Sequence, residues 1–218
     1  KFYNFSNRFN FDFDEVSMFE DLKAILSRNG FIPYITSDKQ EALNTVLNII
    51  PRDKVAAFGG SETVKELSIA EALLDRGSAI YHRSYPNQGK TADDIMQKSM
   101  GADYYVTSAN ALTKTGLIVN TDGRGNRVAA TIYGPQNIVY VIGRNKIVDN
   151  LDAAFERIRT VAAPLNCQRL GKDTPCVKGD SCEDCDPTNT ICRSTVIHRF
   201  PNTGKSVYIV IVDEDLGY

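Results

Sequence analysis

Residues 137–143 read NIVYVIG. After the asparagine the run is apolar apart from its closing glycine, with no polar residue in alternate places. A strand with one wet face alternates, whereas a near-continuous apolar run marks a strand covered on both faces. The stretch after it predicts a helix over 148–162, with Leu151, Ala154, Phe155, Ile158 and Val161 on its apolar side and Pro164 at its end. Before it, GLIVNTDGRGNRVAATIYG reads as two strands joined at the turn Asp122-Gly123-Arg124-Gly125.

Further upstream, helix and strand patterns alternate. Helices are expected over 14–29, with Asp14 as cap and Val16, Phe19, Leu22, Ile25 and Leu26 recurring at helical steps, and over 37–50, with Pro51 as the stop. Others are expected over 62–75 and 91–100. Strands are expected at 32–35, 55–58, 79–82 and 104–107. Two more, 194–199 and 206–212, flank the turn PNTGK near the end of the chain. This alternation implies an α/β fold, a mainly parallel twisted sheet flanked by helices with some antiparallel pairing. The whole of 1–218 is expected to be a single domain: a core over 14–163, a Cys-rich loop over 164–193, and C-terminal strands over 194–218.

Among 218 residues, a hydrophobic share of 42% and a charged share of 24% suit an ordinary globular protein. The net charge of −2 gives no electrostatic case for nucleic acid or an acidic membrane surface. No apolar run approaches the roughly 18 residues that cross a bilayer. The opening KFYNFSNRFNFDFDEV lacks the apolar core of a signal peptide. All five cysteines lie in the last quarter of the chain. That crowding points to one local use for the thiols in a reducing, cytoplasmic compartment.

Four constellations carry chemistry. The first is Gly59-Gly60-Ser61-Glu62-Thr63, where a strand hands over to a helix. Glycines let backbone approach a ligand, helix-start amides favour an anion, and Ser61 and Thr63 add hydroxyl donors. The plainer reading is a turn in which Ser61 caps the helix. The second is the stretch after Asp103, where Ser108, Asn110 and Thr113 follow the carboxyl end of a strand and Lys114 adds a cation. Asp103 is a candidate base and Lys114 a candidate group to polarise a carbonyl. The third surrounds Asn126 and Arg127. A guanidinium among apolar neighbours needs a partner, and a carboxylate or phosphate ligand would suit it. The fourth is Cys176-x5-Cys182-x2-Cys185-x6-Cys192. Four thiolates over so short a span can hold zinc or an iron–sulfur cluster, and Gly179, Asp180, Asp186 and Pro187 let the chain fold around it. A redox-labile pair and inert thiols are the competing readings. His82 and His198, on expected strands, read as structural.

The strings FGGSET, GADYYVTSANALTKTGLIVNTDGRGNRVAA, YGPQNIVYVIGRNKIVDNLDAAFERIRTVAAPLN and TPCVKGDSCEDCDPTNTICRS together resemble the LUD-domain family of lactate-utilisation proteins, and within it a cysteine-containing branch of unknown function. The resemblance spans about 14–218. It implies a fold similar to the NagB/RpiA/CoA-transferase group, in which a Gly-rich loop holds a phosphate or related anion; Gly59, Gly60, Ser61 and Thr63 occupy that place. It implies a role beside lactate-oxidation partner proteins that carry iron–sulfur and flavin-type centres. Two departures limit the carry-over. Lys114 stands where many relatives have an acid, and the CoA-transferase glutamate nucleophile has no clear equivalent. The expectation is a cytoplasmic protein binding a small anionic or phosphorylated metabolite, with a metal- or thiol-based redox partner as the alternative. A homodimer is the base-rate expectation.

Overall fold

The computed structural model describes residues 15–85, 91–179, 182 and 185–218, with the side chains of 15–17 excepted. The expected Asp14 cap, the inward Val16 side chain and the loop residue Asp180 lie outside these. The elements run α1 (Glu15–Arg28), β1 (Ile32–Thr36), α2 (Lys39–Ile49), β2 (Ala56–Phe58), α3 (Glu62–Glu66), α4 (Ile69–Asp75), β3 (Ile80–Tyr81), α5 (Ala92–Ser99) and β4 (Tyr104–Thr107). They continue with β5 (Ala111–Thr113), β6 (Ile118–Asp122), α6 (Asn126–Ile132), β7 (Asn137–Gly143), a 3-10 turn Arg144–Lys146 and β8 (Ile147–Val148). The chain closes with α7 (Leu151–Arg157), a π-helical turn Ile158–Ala162, α8 (Ala163–Arg169), α9 (Pro175–Lys178), β9 (Ser194–His198) and β10 (Ser206–Val212).

The main sheet has six strands in the order β1-β10-β7-β4-β2-β3, and every neighbouring pair is parallel. Its strands alternate between two cores. Val139, Val141, Val210 and Val212 face a layer with Val46 of α2, Ile50 just after it, and Leu67, Ile69 and Leu73 from the α3–α4 region. Ile138, Tyr140, Ile142, Ile209 and Ile211 face the other side, against Leu22 and Leu26 of α1 and against Leu112 and Ile118. Those last two belong to a second sheet in the order β8-β5-β6-β9. The all-apolar reading of 137–143 therefore has its cause: β7 lies inside the sheet with both faces covered.

Several expectations need correction. Residues 116–134 are not a hairpin. The second half is α6, because the Asp122 carboxylate accepts the amides of Arg127 (3.1 Å) and Val128 (3.2 Å) and starts a helix with Val128, Ala130 and Thr131 buried. Gly125 sits at φ 81° just before it, a conformation that glycine takes without strain. The two C-terminal strands do not pair with each other. β9 pairs antiparallel with β6 in the small sheet, while β10 inserts between β1 and β7 in the main one. The helix expected over 62–75 breaks at Ser68, which adopts φ 50°, leaving α3 only five residues long. Pro164 does not end the last long helix. It falls in the first turn of α8, just after the π-helical turn, where its missing N–H costs little, and the helix continues to Arg169. The Cys-rich stretch is thus partly helical. No helix among the described residues is long and apolar enough to cross a membrane.

Candidate functional site

In a parallel sheet the carboxyl ends of the strands all point to one rim. Here β2 ends in Gly59–Ser61, β4 in Ser108–Asn110, β7 in Arg144–Lys146, and β10 leads to 213–218. Gly60, Ser61, Ser108, Ala109, Asn110, Lys146 and Tyr218, from all four, line one cleft of about 520 Å³. Its outer walls come from α5, the β6–α6 junction and the α7–α8 helix. That volume suits a small-molecule ligand.

Lys146 lies at the bottom. It is 2% exposed, and its Nζ donates to Thr63 Oγ1 (2.6 Å) and Ser108 Oγ (3.1 Å). No ion pair reaches it among the described residues. Burial, with the guanidinium charges of Arg157 and Arg127 behind it, depresses its pKa to about 7. Arg157 is also buried, at 9% exposure, and donates to the carbonyls of Asn145 (3.0 Å) and Asn110 (2.6 Å) rather than to a carboxylate. Burial lowers its pKa as well. Arg127 lies against Asp122 (3.7 Å), donates to Asn120 Oδ1 (2.8 Å) and Thr121 O (2.6 Å), and reaches Asn110 Oδ1 at 3.3 Å. Lys146 and Arg157 are thus buried and Arg127 partly buried, and of the three only Arg127 stands against a carboxylate among the described residues. Among the described residues lining the cleft, seven lysines and arginines face two acidic side chains, Glu62 and Asp122. In a chain of net charge −2, that surplus is local.

The sequence-derived candidates divide. Gly60, Ser61, Ser108, Asn110, Asn126 and Arg127 line the cleft. Gly59 lies behind it: a Cβ there would meet Tyr105 Oη at 3.0 Å and Thr107 Oγ1 at 3.1 Å. Ser61 accepts from the Val64 amide (3.2 Å), so it caps α3 while also lining the wall. With five residues, α3 supplies little dipole, and the anion argument passes from helix amides to side-chain cations. Thr63 is fully buried and contacts Lys146 rather than the cleft. Thr113 is buried in β5, where its hydroxyl accepts from the Leu117 amide (2.9 Å), and lies away from the cleft.

The two proposed catalytic residues are not brought to the site. Asp103 precedes β4 at its amino end, about 13 Å along the strand from the rim at a rise of about 3.3 Å per residue. There it accepts from Val55 N (2.9 Å) and faces Lys54 (3.6 Å). Lys114 follows β5 in the second sheet and pairs with Asp149 at 2.6 Å. The residue that sequence reasoning missed is Lys146. Its signal was a lysine three residues beyond a doubly buried strand, at the end where ligands collect. His198 packs on Tyr140 with its Nε2 3.1 Å from Thr131 Oγ1. His82 packs edge-on against Phe58.

Cys167, Cys176, Cys182, Cys185 and Cys192 line a second cavity of about 400 Å³. None is in a disulfide. Burial and then the four neighbouring thiols push Cys192 up to about 11. Among the described residues, no three His, Cys, Asp or Glu side chains are grouped to hold a metal ion. Ala163, Thr190, Ile191, Cys192 and Arg193 line both cavities, so one wall separates them.

The LUD domain model matches residues 19–212. A solved DUF162 family protein from Deinococcus radiodurans superposes on 93% of this chain and 100% of its own, with TM-score 0.57 and 11% identity. That likeness concerns the fold alone. A D-ribose-5-phosphate isomerase in complex with phospho-erythronic acid overlaps 52% of this chain and 54% of its own at 18% identity, with TM-score 0.31, too partial to carry an argument. Comparison with curated proteins gives no match.

Proposed function

This chain belongs to the LUD-domain family, and from that premise we propose that it binds a small organic-acid anion, of the lactate class or a phosphorylated relative, in the cleft at the carboxyl rim of its main sheet. The observation that supports this is the group of buried Lys146 and Arg157 with the partly buried Arg127, of which only Arg127 stands against a carboxylate, Asp122, among the described residues. Buried positive charge without a matching acid is costly, and an anionic ligand relieves it. The lactate role comes from the family resemblance. The anionic class comes from the charges, and the small size from the cleft volume of about 520 Å³.

Lys146 is the centre of this reading. With its pKa brought down to about 7, the amine is able to change charge state near neutral pH. Protonated, it has three N–H donors; Thr63 and Ser108 take two, and the third serves the ligand. An amine of this kind can also exchange a proton with, or polarise, a carbonyl beside the carboxylate. Gly60 keeps the β2 loop low: a Cβ there would lie 3.2 Å from Nη2 of Arg83.

Thermal unfolding in the presence of lactate, pyruvate and a phosphorylated hydroxy acid tests the reading. A ligand at a hundred times its Kd adds about 2.7 kcal/mol, a rise in Tm of roughly 5–10 °C for a chain of this size. Lys146→Met is expected to abolish the rise. The reading fails if none of these anions raises the Tm of the native protein, or if the folded Lys146→Met protein responds in full.

A further inference from the structure

The five cysteines converge from separate places on the chain: Cys167 from α8, Cys176 from α9, and Cys182, Cys185 and Cys192 from the segment leading to β9. The rest of their cavity wall is Ala163, Pro187, Thr190, Ile191 and Arg193. Among the described residues it therefore holds no carboxylate and no imidazole, only thiols, apolar groups, one hydroxyl and one guanidinium. The five thiols make this the donor set of a thiophilic centre.

Size decides which centre. Four thiolates around one zinc at 2.3 Å, in a tetrahedron, stand only about 3.8 Å apart. All five thiols line one cavity of about 400 Å³, more room than a single ion needs. In an iron–sulfur cube each cysteine binds a different iron, so the ligand sulfurs sit at wider corners of a larger object. Thiols spread around a cavity of that size suit the cube. Arg193 on the same wall offsets the negative charge that thiolates and sulfides bring.

We propose that this cavity is an iron–sulfur site of the [4Fe–4S] class, held by Cys176, Cys182, Cys185 and Cys192. These four lie on α9 and in the segment leading to β9. Cys167 is fixed within α8, is 2% exposed, and forms the cavity's back wall rather than a ligand. Cys192 also lines the anion cleft. The cluster would therefore stand one residue's thickness from the cleft, with its own ligand forming the partition.

The test is reconstitution of the purified full chain with ferrous iron and sulfide, without oxygen, followed by iron and sulfide analysis and a visible spectrum. About four irons and four sulfides per chain and a brown, broadly absorbing protein are expected. Cys176→Ala and Cys192→Ala are expected to lose the cluster, and Cys167→Ala to keep it. Circular dichroism separates loss of the cluster from loss of the fold. One zinc per chain without sulfide, no stable metal after reconstitution, or a Cys192→Ala protein with full iron content would each overturn the proposal. Lys146→Met is expected to retain the cluster, so failure of the anion reading and failure of this one are read separately.

Discussion

At the scale of single residues, Asp122 and Lys146 carry most of the site. Asp122 does two jobs with one carboxylate: it caps the start of α6 and faces the Arg127 guanidinium. Asp122→Ala removes both and leaves Arg127 half-buried with a net charge and no acid. A loss of about 2–4 kcal/mol in urea unfolding is expected. Lys146 has the opposite character, since its burial costs stability. Its pKa falls from 10.5 when exposed to about 7 when folded. The folded state thus binds fewer protons than the unfolded one between those values, so stability rises with pH across the window. The size of that rise is at most about 5 kcal/mol. Lys146→Met lacks the ionisation, and its stability curve is expected to stay flat from pH 7 to 10 where that of the native protein climbs.

At the scale of elements, the rim loops depend on how closely they approach one another. Gly143, at the end of β7, has no room for a side chain: an added Cβ would stand 2.7 Å from Leu216 N and 2.8 Å from Glu214 O. Those are backbone atoms, so Gly143→Ala is expected to cost about 2–3 kcal/mol by denaturant titration. Gly60→Ala meets only the tip of Arg83, a flexible side chain. A stability cost under about 1 kcal/mol is expected there, with weakened anion binding as the main effect. The elements also show what could be read in advance. The buried character of β7, the helices α1, α2 and α5, and the β2 loop at the rim were legible because hydrophobic period and turn residues are local signals. The β6–α6 junction was misread because Asp122-Gly123-Arg124-Gly125 has the letters of a hairpin turn, and only the long contact with Arg127 makes it a helix start. The π-helical turn before Pro164 was hidden for the same kind of reason, since proline in that place usually ends a helix.

At the scale of the whole molecule, the position of β10 explains both the site and its partial invisibility. The last strand enters the middle of the sheet, between β1 and β7, and brings 213–218 over the rim. No local pattern reveals that two strands near each other in sequence belong to different sheets. The same topology separates Asp103 and Lys114 from the cleft, because the first lies at the wrong end of β4 and the second in the second sheet. It also brings Arg157 and Lys146 together with Arg127, residues that show no relation in sequence. The result is a rim where cations gather although the chain as a whole is slightly acidic.

Proton uptake measures that gathering of charge directly. An anion bound in the cleft favours charged Lys146, so above pH 7 each binding event must draw a proton from solution. Calorimetric titration of the native protein with the best-binding organic acid, at pH 8 in two buffers of different ionisation enthalpy, counts those protons. Uptake approaching one proton per anion is expected, with affinity falling as much as tenfold per pH unit above 7. Binding with no proton exchange, or with undiminished affinity in Lys146→Met, would contradict a cleft built around this lysine.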